Sequence, residues 1–350
     1  MADLKLLFRI DLKRTGKIDQ KYDPRFLCFG PNQLMYLYDH EYGDIQVLDY
    51  KGKFQFRFGK QGSKKNWFCG MCFGPNNLLY VCDKNNYCIQ IFDQDGEFQF
   101  QFGSEGSKNG QFFFYGGCGL CFGPNDLLYV CDACNYCIQV FDIHGKFQFK
   151  FDSQKEVNRL IFFSSSCNLC FGSNGLLYVC NTIYQNIQVF NMKGEFQFEF
   201  DLYQIEPGRY YYPYFLCAGP NNLLYIYNYI DVHTQVFDLK GNFQFYFSTS
   251  PMSEKNINNI DTRLGSHFLC FNDNMIYIIY PNGCHFIDVF QYTKTRVLQQ
   301  ILSNNITSLY CQCQERNRRK LIQNKNTHLN RNVSYILVVL MIIIMFNILF

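Results

Sequence analysis

The sequence predicts an all-β protein, a six-bladed β-propeller followed by an apolar C-terminal helix, and three observations lead there. One unit recurs six times, most clearly as FGPNNLLYVCDKNNYCIQIFDQDGEFQFQF from Phe73 to Phe102. Its apolar residues alternate with a period of two, and its breaks carry the residues of tight turns.

The unit starts at Phe29, Phe73, Phe122, Phe171, Ala218 and Phe271, in steps of 44, 49, 49, 47 and 53 residues. That length builds four-stranded blades rather than helical solenoid turns. In the clearest unit, strand a is Cys69 to Phe73, b is Leu78 to Asp83, c is Ile89 to Asp93 and d is Phe98 to Phe102. Phe98, Phe100 and Phe102 fall on one face of strand d, and Gln99 and Gln101 on the other. Gly74-Pro75-Asn76-Asn77 sets a turn between a and b, because proline fixes φ where the turn needs it. Asp95-Gly96 supplies the positive-φ residue of the c–d hairpin, with equivalents at Gly52, Gly145, Gly194 and Gly241. A single blade leaves both faces bare, so only a closed ring buries them.

The ends of the ring follow from an offset. Leu4 to Leu12 reads as a strand d that precedes the first strand a at Arg25 to Phe29. It is placed to complete the blade whose other strands lie between Phe268 and Gln291. Arg296 to Ile301 competes for the same edge. The predicted organisation is a propeller over 1–302, a basic polar linker over 303–332 and an apolar helix over 333–350.

Composition fits one large core: aromatic residues make up 19% of the chain, with 38 Phe and 26 Tyr. The net charge is +3, but Arg316, Arg318, Arg319, Lys320, Lys325 and Arg331 face only Glu315 in the last 47 residues. The remainder is therefore slightly acidic, which argues against a surface that works by global phosphate neutralisation. Eighteen cysteines would suggest disulfides in a small secreted chain, but residues 1–22 show no signal-peptide pattern, so the thiols are read as reduced and cytosolic. Most recur at fixed strand positions, where Cys acts as a small apolar residue.

Three patterns together resemble the NHL repeat family of six-bladed propellers: Leu-Tyr-Val-x-Asp at Leu79 to Asp83 and Leu128 to Asp132, Ile-Gln-Val-Phe-Asp at Ile138 to Asp142, and the connector Phe102 to Phe112. The resemblance covers residues 1–302 and is sharpest in the second and third units; later the blade Asp becomes Asn181 and Asn228. It implies the fold, and for function it implies a choice among branches. One branch resembles the TRIM-NHL propellers, which bind RNA or protein on the connector face. Another holds lyases with a channel zinc on histidines.

No GxSxG elbow, HExxH helix or phosphate loop is present, and Gly103, Gly106 and Gly110 belong to a connector rather than a dinucleotide fingerprint. The expectation is a non-catalytic scaffold without a cofactor, presenting its connector face to a protein partner. Single-stranded RNA is the alternative, because Lys13, Arg14, Lys17, Lys21 and Arg25 in the first connector join Lys60, Lys64 and Lys65 in the second beside Tyr22, Trp67 and Phe68. Cations interleaved with aromatic rings are what an unpaired strand needs. A metal-dependent lyase is the distant alternative, but His40, His233 and His285 occupy different repeat positions and read as incidental.

Cys69-Gly-Met-Cys72, Cys118-Gly-Leu-Cys121 and Cys167-Asn-Leu-Cys170 look like zinc knuckles, but residues i and i+3 of a strand point to opposite faces. The second Cys of each pair recurs in every unit, as packing symmetry requires. Cys69, Cys118 and Cys167 instead begin three adjacent inner strands, where they would converge at one mouth of the channel to take a soft metal or oxidise. The alternative is three small buried thiols.

The tail from Val333 to Phe350 holds no charge, and as a helix it would span about 27 Å. Tyr335 suits the interface, and the basic run before it suits the cytoplasmic side. The expectation is a tail anchor that leaves the propeller on the cytosolic face of an intracellular membrane, the endoplasmic reticulum being thin enough; a soluble cytoplasmic protein is the alternative. Full-length protein should then sediment with membranes while a chain ending at Asn332 stays in the supernatant. Differential centrifugation checks this, and full-length protein in the supernatant refutes the anchor.

Overall fold

The computed structural model describes residues 5–12, 23–59, 68–114, 117–152, 166–181, 185–202, 213–228, 233–248, 268–272, 275–279 and 286–291. The chain divides into Met1–Lys294 and Thr295–Phe350, and every described residue belongs to the first unit. Val333, Tyr335 and Phe350 therefore lie outside the described residues, as do Arg296 to Ile301. Among the described residues no helix is long and apolar enough to cross a membrane.

Strand β1 (Lys5–Asp11) stands apart at the start of the chain. Blade 1 follows as β2 (Pro24–Phe29), β3 (Met35–Asp39), β4 (Asp44–Leu48) and β5 (Phe54–Phe58), and blade 2 as β6 (Phe68–Phe73), β7 (Leu79–Asp83), β8 (Cys88–Phe92) and β9 (Phe98–Phe102). In blade 3 the inner strand is split into β10 (Gly117–Cys118) and β11 (Leu120–Phe122), ahead of β12 (Leu128–Asp132), β13 (Cys137–Phe141) and β14 (Phe147–Phe151). Blade 4 is alike, with β15 (Ser166–Cys167), β16 (Leu169–Phe171), β17 (Leu177–Asn181), β18 (Asn186–Phe190) and β19 (Phe196–Asp201). Blade 5 comprises β20 (Pro213–Gly219), β21 (Leu223–Asn228), β22 (His233–Asp238) and β23 (Phe243–Ser248). Blade 6 comprises β24 (Phe268–Asn272), β25 (Met275–Ile279) and β26 (Phe286–Gln291). Each blade is an antiparallel meander, and the predicted strand a to d bounds differ from the observed ones by one residue at most in blade 2.

The inner strands touch in the order β2, β6, β11, β16, β20, β24 and back to β2, which closes the ring. Blade 6 takes its outer strand from the other end of the chain: β1 pairs antiparallel with β26, with Ile10 opposite Ile287. Arg9 grips the buried Asp288 carboxylate across that seam through Nε at 2.6 Å and Nη2 at 2.9 Å. Such a bidentate pair fixes register as well as contributing energy. The N-terminal strand is thus the clasp.

The apolar core lies between blades rather than within them. Tyr36, Tyr38, Ile45 and Val47 of blade 1 pack on Leu79, Val81 and Phe92 of blade 2. Equivalent clusters seal blades 2 and 3, 3 and 4, and 4 and 5, and Ile10, Leu37, Tyr277 and Val289 seal blade 6 to blade 1. Strands b and c are buried throughout, whereas strand d alternates because its far side meets water.

One hydroxyl repeats at these seams. The Tyr36 hydroxyl donates to the Gln94 carbonyl of blade 2 at 2.8 Å, Tyr80 to Ile143 at 2.7 Å, Tyr129 to Met192 at 2.7 Å and Tyr178 to Leu239 at 2.7 Å. Each oxygen accepts in turn from an asparagine four residues earlier, Asn32, Asn76, Asn125 or Asn174. The same c–d turns are held from below by the last aromatic residue of the preceding blade. Phe58 lies against Gly96, whose φ of +84° and missing Cβ both admit the ring, and Ile10 plays this part against Gly52. Replacing Tyr80 with Phe keeps the ring in its socket but leaves the Ile143 carbonyl without its donor. We expect a loss of about 1–2 kcal/mol with an unchanged m value, read by urea denaturation.

Candidate functional site: the connector face and its thiol cluster

Antiparallel meanders put the d–a connectors and the b–c turns on one face of the ring. The connector between β9 and β10 is described over residues 103–114, and it is tied down by a polar knot in blade 3. Asp132 Oδ1 accepts from the Phe113 backbone N–H at 3.0 Å, and its Oδ2 accepts from Asn135 at 2.8 Å and Gln139 at 2.7 Å. Gln139 also donates to the Gln111 carbonyl and accepts from Gly110, while Asn135 donates to the Gly106 carbonyl. Phe112 and Phe114 point inward and are buried, so Phe113 between them points out. It is 41% exposed and stacks on Tyr87 from blade 2, ring centroids 5.6 Å apart. Tyr136, one blade further round than Tyr87, is exposed as well.

The buried carboxylate at this position recurs as Asp39, Asp83 and Asp132, with Asn181 and Asn228 in the same register in blades 4 and 5. Burial raises all three acids, and Asp39 goes furthest, to about 6. Burial outweighs the backbone N–H donors of Asp23, Tyr42 and Glu41, and the facing Asp44 adds to it.

Of the predicted basic and aromatic sector, Lys13, Arg14, Lys17, Lys21, Tyr22, Lys60, Lys64, Lys65 and Trp67 lie outside the described residues. Arg25 is engaged by Asp23 at 2.9 Å. Phe68 is buried between Tyr38 and Gly59, so it offers no platform for a base. His40 packs edge-on against Tyr38 and His233 against Tyr246; His285 lies outside the described residues.

The cysteines fall into two sets. Cys28, Cys72, Cys121, Cys170, Cys217 and Cys270 stand one per blade on the inner strands. Burial drives their thiols up, to about 12 for Cys72, Cys170 and Cys270, and neighbouring members of the ring raise Cys28, Cys121 and Cys217 further. They stay protonated and act as small apolar side chains.

Cys69, Cys82 and Cys118 form the second set, all three Sγ atoms lying within 4.8 Å of one another. Cys69 sits at a β-bulge, since Phe68 pairs with Asp83 but Gly70 with Cys82, and the extra residue turns its thiol toward Cys82 at 3.2 Å. Cys118 comes from blade 3; a Cβ on Gly70 would run into its carbonyl, so glycine there permits the two blades to approach. The thiols of Cys69 and Cys72, and of Cys118 and Cys121, fall in different sets, as expected. Cys167 pairs with Cys118 by its backbone, β10 running parallel to β15, but its side chain lies outside the description. Cys82, at the far end of strand b, was not in the predicted set. Burial opposes ionisation of Cys69, yet the neighbouring Cys118 and Cys82 thiols outweigh it and hold Cys69 below the ordinary thiol range, while Cys82 and Cys118 are themselves pushed up, chiefly by burial.

The fold and this face define the class, a six-bladed β-propeller whose connectors and b–c turns share one surface. Within that class the NHL repeat model matches residues 70–92 and 119–141, in blades 2 and 3. No curated protein sequence matches it. Among solved structures it is similar to virginiamycin B lyase from Staphylococcus aureus with quinupristin, at 13% identity and a TM-score of 0.58, covering 83% of this chain and 99% of that one. It is also similar to the Cps50 (Swd1) β-propeller domain of Myceliophteria thermophila, at 8% identity and a TM-score of 0.54, covering 83% and 100%. These likenesses are of fold.

Asp39 gives a test of the buried acid. Its folded value lies above its ordinary one, so its contribution to stability is present below about pH 4 and is lost as pH rises through about 6. Asp39→Asn keeps the Oδ1 acceptor and removes the buried charge, as Asn181 and Asn228 already do. The variant should gain about 1–2 kcal/mol at neutral pH and lose this advantage on acidification from about pH 6 to about pH 4, measured by urea unfolding at both ends.

Proposed function

We propose that this propeller is a non-catalytic scaffold that binds a protein partner on its connector face and is held at a membrane surface by residues 333–350. The single observation behind the partner site is the Tyr87–Phe113 stack. A loop that buries Phe112 and Phe114, and anchors its backbone on Asp132 and Gln139, holds Phe113 rigid in water. A pre-ordered aromatic pair, with Phe113 exposed and Tyr87 half-buried beneath it, offers contact area with little entropy left to lose, and such anchors dominate protein interfaces. The charges around it, Lys84, Glu105 and Lys108, are mixed in sign, which favours a protein surface over a phosphate backbone. The likeness to a lyase supports the shape alone, so the scaffold reading rests on this surface.

Phe113→Ser removes the exposed ring of the platform without touching the buried seams, and Tyr87→Ala added to it removes the platform together with a side chain that packs on the blade 2–blade 3 core. A partner crosslinked and identified with the wild-type protein should bind the Phe113→Ser variant at least tenfold more weakly by calorimetry, with the same melting temperature, and the double variant no more tightly. Filter binding of a single-stranded RNA should show nothing at low salt. Tight RNA binding that weakens steeply with salt overturns the protein reading.

A further inference from the structure

We propose that Cys69, Cys82 and Cys118 form a three-thiolate site for a thiophilic d10 metal ion, zinc or copper(I), that staples blade 2 to blade 3. The inference is independent of the partner surface. Three Sγ atoms from two blades and three strands meet within 4.8 Å, and all three residues are more than nine-tenths buried. A metal at about 2.3 Å from each sulfur needs sulfurs roughly 4 Å apart, so closing on an ion takes small side-chain shifts and no movement of the strands. The donor set is sulfur alone, which selects soft ions over magnesium or calcium. A divalent ion would displace the thiol protons and leave the three-thiolate site with one negative charge, beside Lys84, whose cation already acts on Cys69.

The repeat supplies the control. The six-membered ring of Cys28, Cys72, Cys121, Cys170, Cys217 and Cys270 occurs in every blade, as packing symmetry demands. The triad positions do not. The bulged residue of strand a and the strand b residue beside it are Cys69 and Cys82 in blade 2, but Arg25 and Tyr38 in blade 1 and Tyr214 and Tyr227 in blade 5. The propeller therefore closes these seams without thiols. Cysteine at both positions is a choice of three adjacent blades, since Cys118 with Cys131 in blade 3 and Cys167 with Cys180 in blade 4 repeat it, and Cys118 is the residue that completes the triad across the seam between blades 2 and 3. The bulge at Cys69 and the bare Gly70 bring the three sulfurs together, and both are backbone features.

The test uses the full-length protein, reduced and freed of metal, titrated with Cd(II), then Zn(II) and Cu(I) in competition. Wild type should show an ultraviolet thiolate-to-metal charge-transfer band saturating at one Cd(II) per chain, together with a melting temperature that rises with Cd(II) but not Mg(II). Cys82→Ser and Cys118→Ser should lose the band at that stoichiometry, and Cys72→Ala should keep it. Displacement of cadmium by zinc or by copper(I) tells which ion the site prefers. A wild-type protein with no band and no shift in melting temperature overturns the proposal, even if the variants fail to fold. So does a band that Cys72→Ala removes equally, or a Cys69–Cys82 disulfide that re-forms in preference to metal uptake.

Discussion

A blade of four strands cannot exist alone here, because its apolar residues face sideways into its neighbours. Everything else depends on how one blade is sealed by the next. The seal has three layers, all placed by the repeat. Val and Ile from strands b and c fill the gap, the last aromatic of strand d caps the glycine of the following c–d turn, and a tyrosine hydroxyl donates to that turn's carbonyl. The hydroxyl matters beyond its own energy. A buried c–d carbonyl without a donor would cost more than the bond gains, so the interaction sets the spacing and angle at which blades stack. Ring closure applies the same rule at the one seam where covalent continuity fails. Ile10 replaces the aromatic over Gly52, and the Arg9–Asp288 pair fixes the register that a hairpin turn fixes elsewhere.

This division explains which features were legible in the sequence. Strand placement was, because period-two alternation and turn glycines are local signals; the clasp was so only in part, because a surplus strand d at the start points to the open edge of blade 6 but Arg296 to Ile301 competes for it, and the β1–β26 pairing decides for the former. The tyrosine latch was not, although the Asn-x-x-x-Tyr spacing of Asn76 and Tyr80 repeats in plain view. A tyrosine within an apolar run reads as core, and its hydroxyl's partner lies some 63 residues away, at Ile143. Phe113 escaped for a similar reason. Three consecutive phenylalanines give no sign of which turns outward until the backbone bonds to Asp132 and Gln139 set the connector's path. Phe68 erred the other way, its place beside basic residues suggesting a surface ring where the seam with Tyr38 buries it.

The cysteines show how a repeat both misleads and informs. Spacing within a strand groups Cys69 with Cys72, yet pleating separates them, and the true neighbour of Cys69 lies across the ladder at Cys82. Repeat register, rather than local spacing, distinguishes the two sets. A residue present in all blades answers to the symmetry of the ring, and one confined to adjacent blades answers to something local. By that criterion Cys72 is packing, and Cys69 with Cys82 asks for a separate cause.

Two of these local features fall on the same sector. The Tyr87–Phe113 platform and the Cys69–Cys82–Cys118 cluster each bridge blades 2 and 3, one on the connector face and one where the inner strand begins beneath it. Phe113 is held through Asp132, which ends the strand that carries Cys131, and Cys118 donates its S–H to the Cys131 carbonyl at 3.1 Å. A shift of blade 3 relative to blade 2 would therefore change the Tyr87–Phe113 stacking distance and the thiol geometry together. Rigidity at this seam serves both, because an aromatic anchor lends affinity only while its two rings stay in register. The seam between blades 2 and 3 is thus one where a surface for recognition would gain from being fixed.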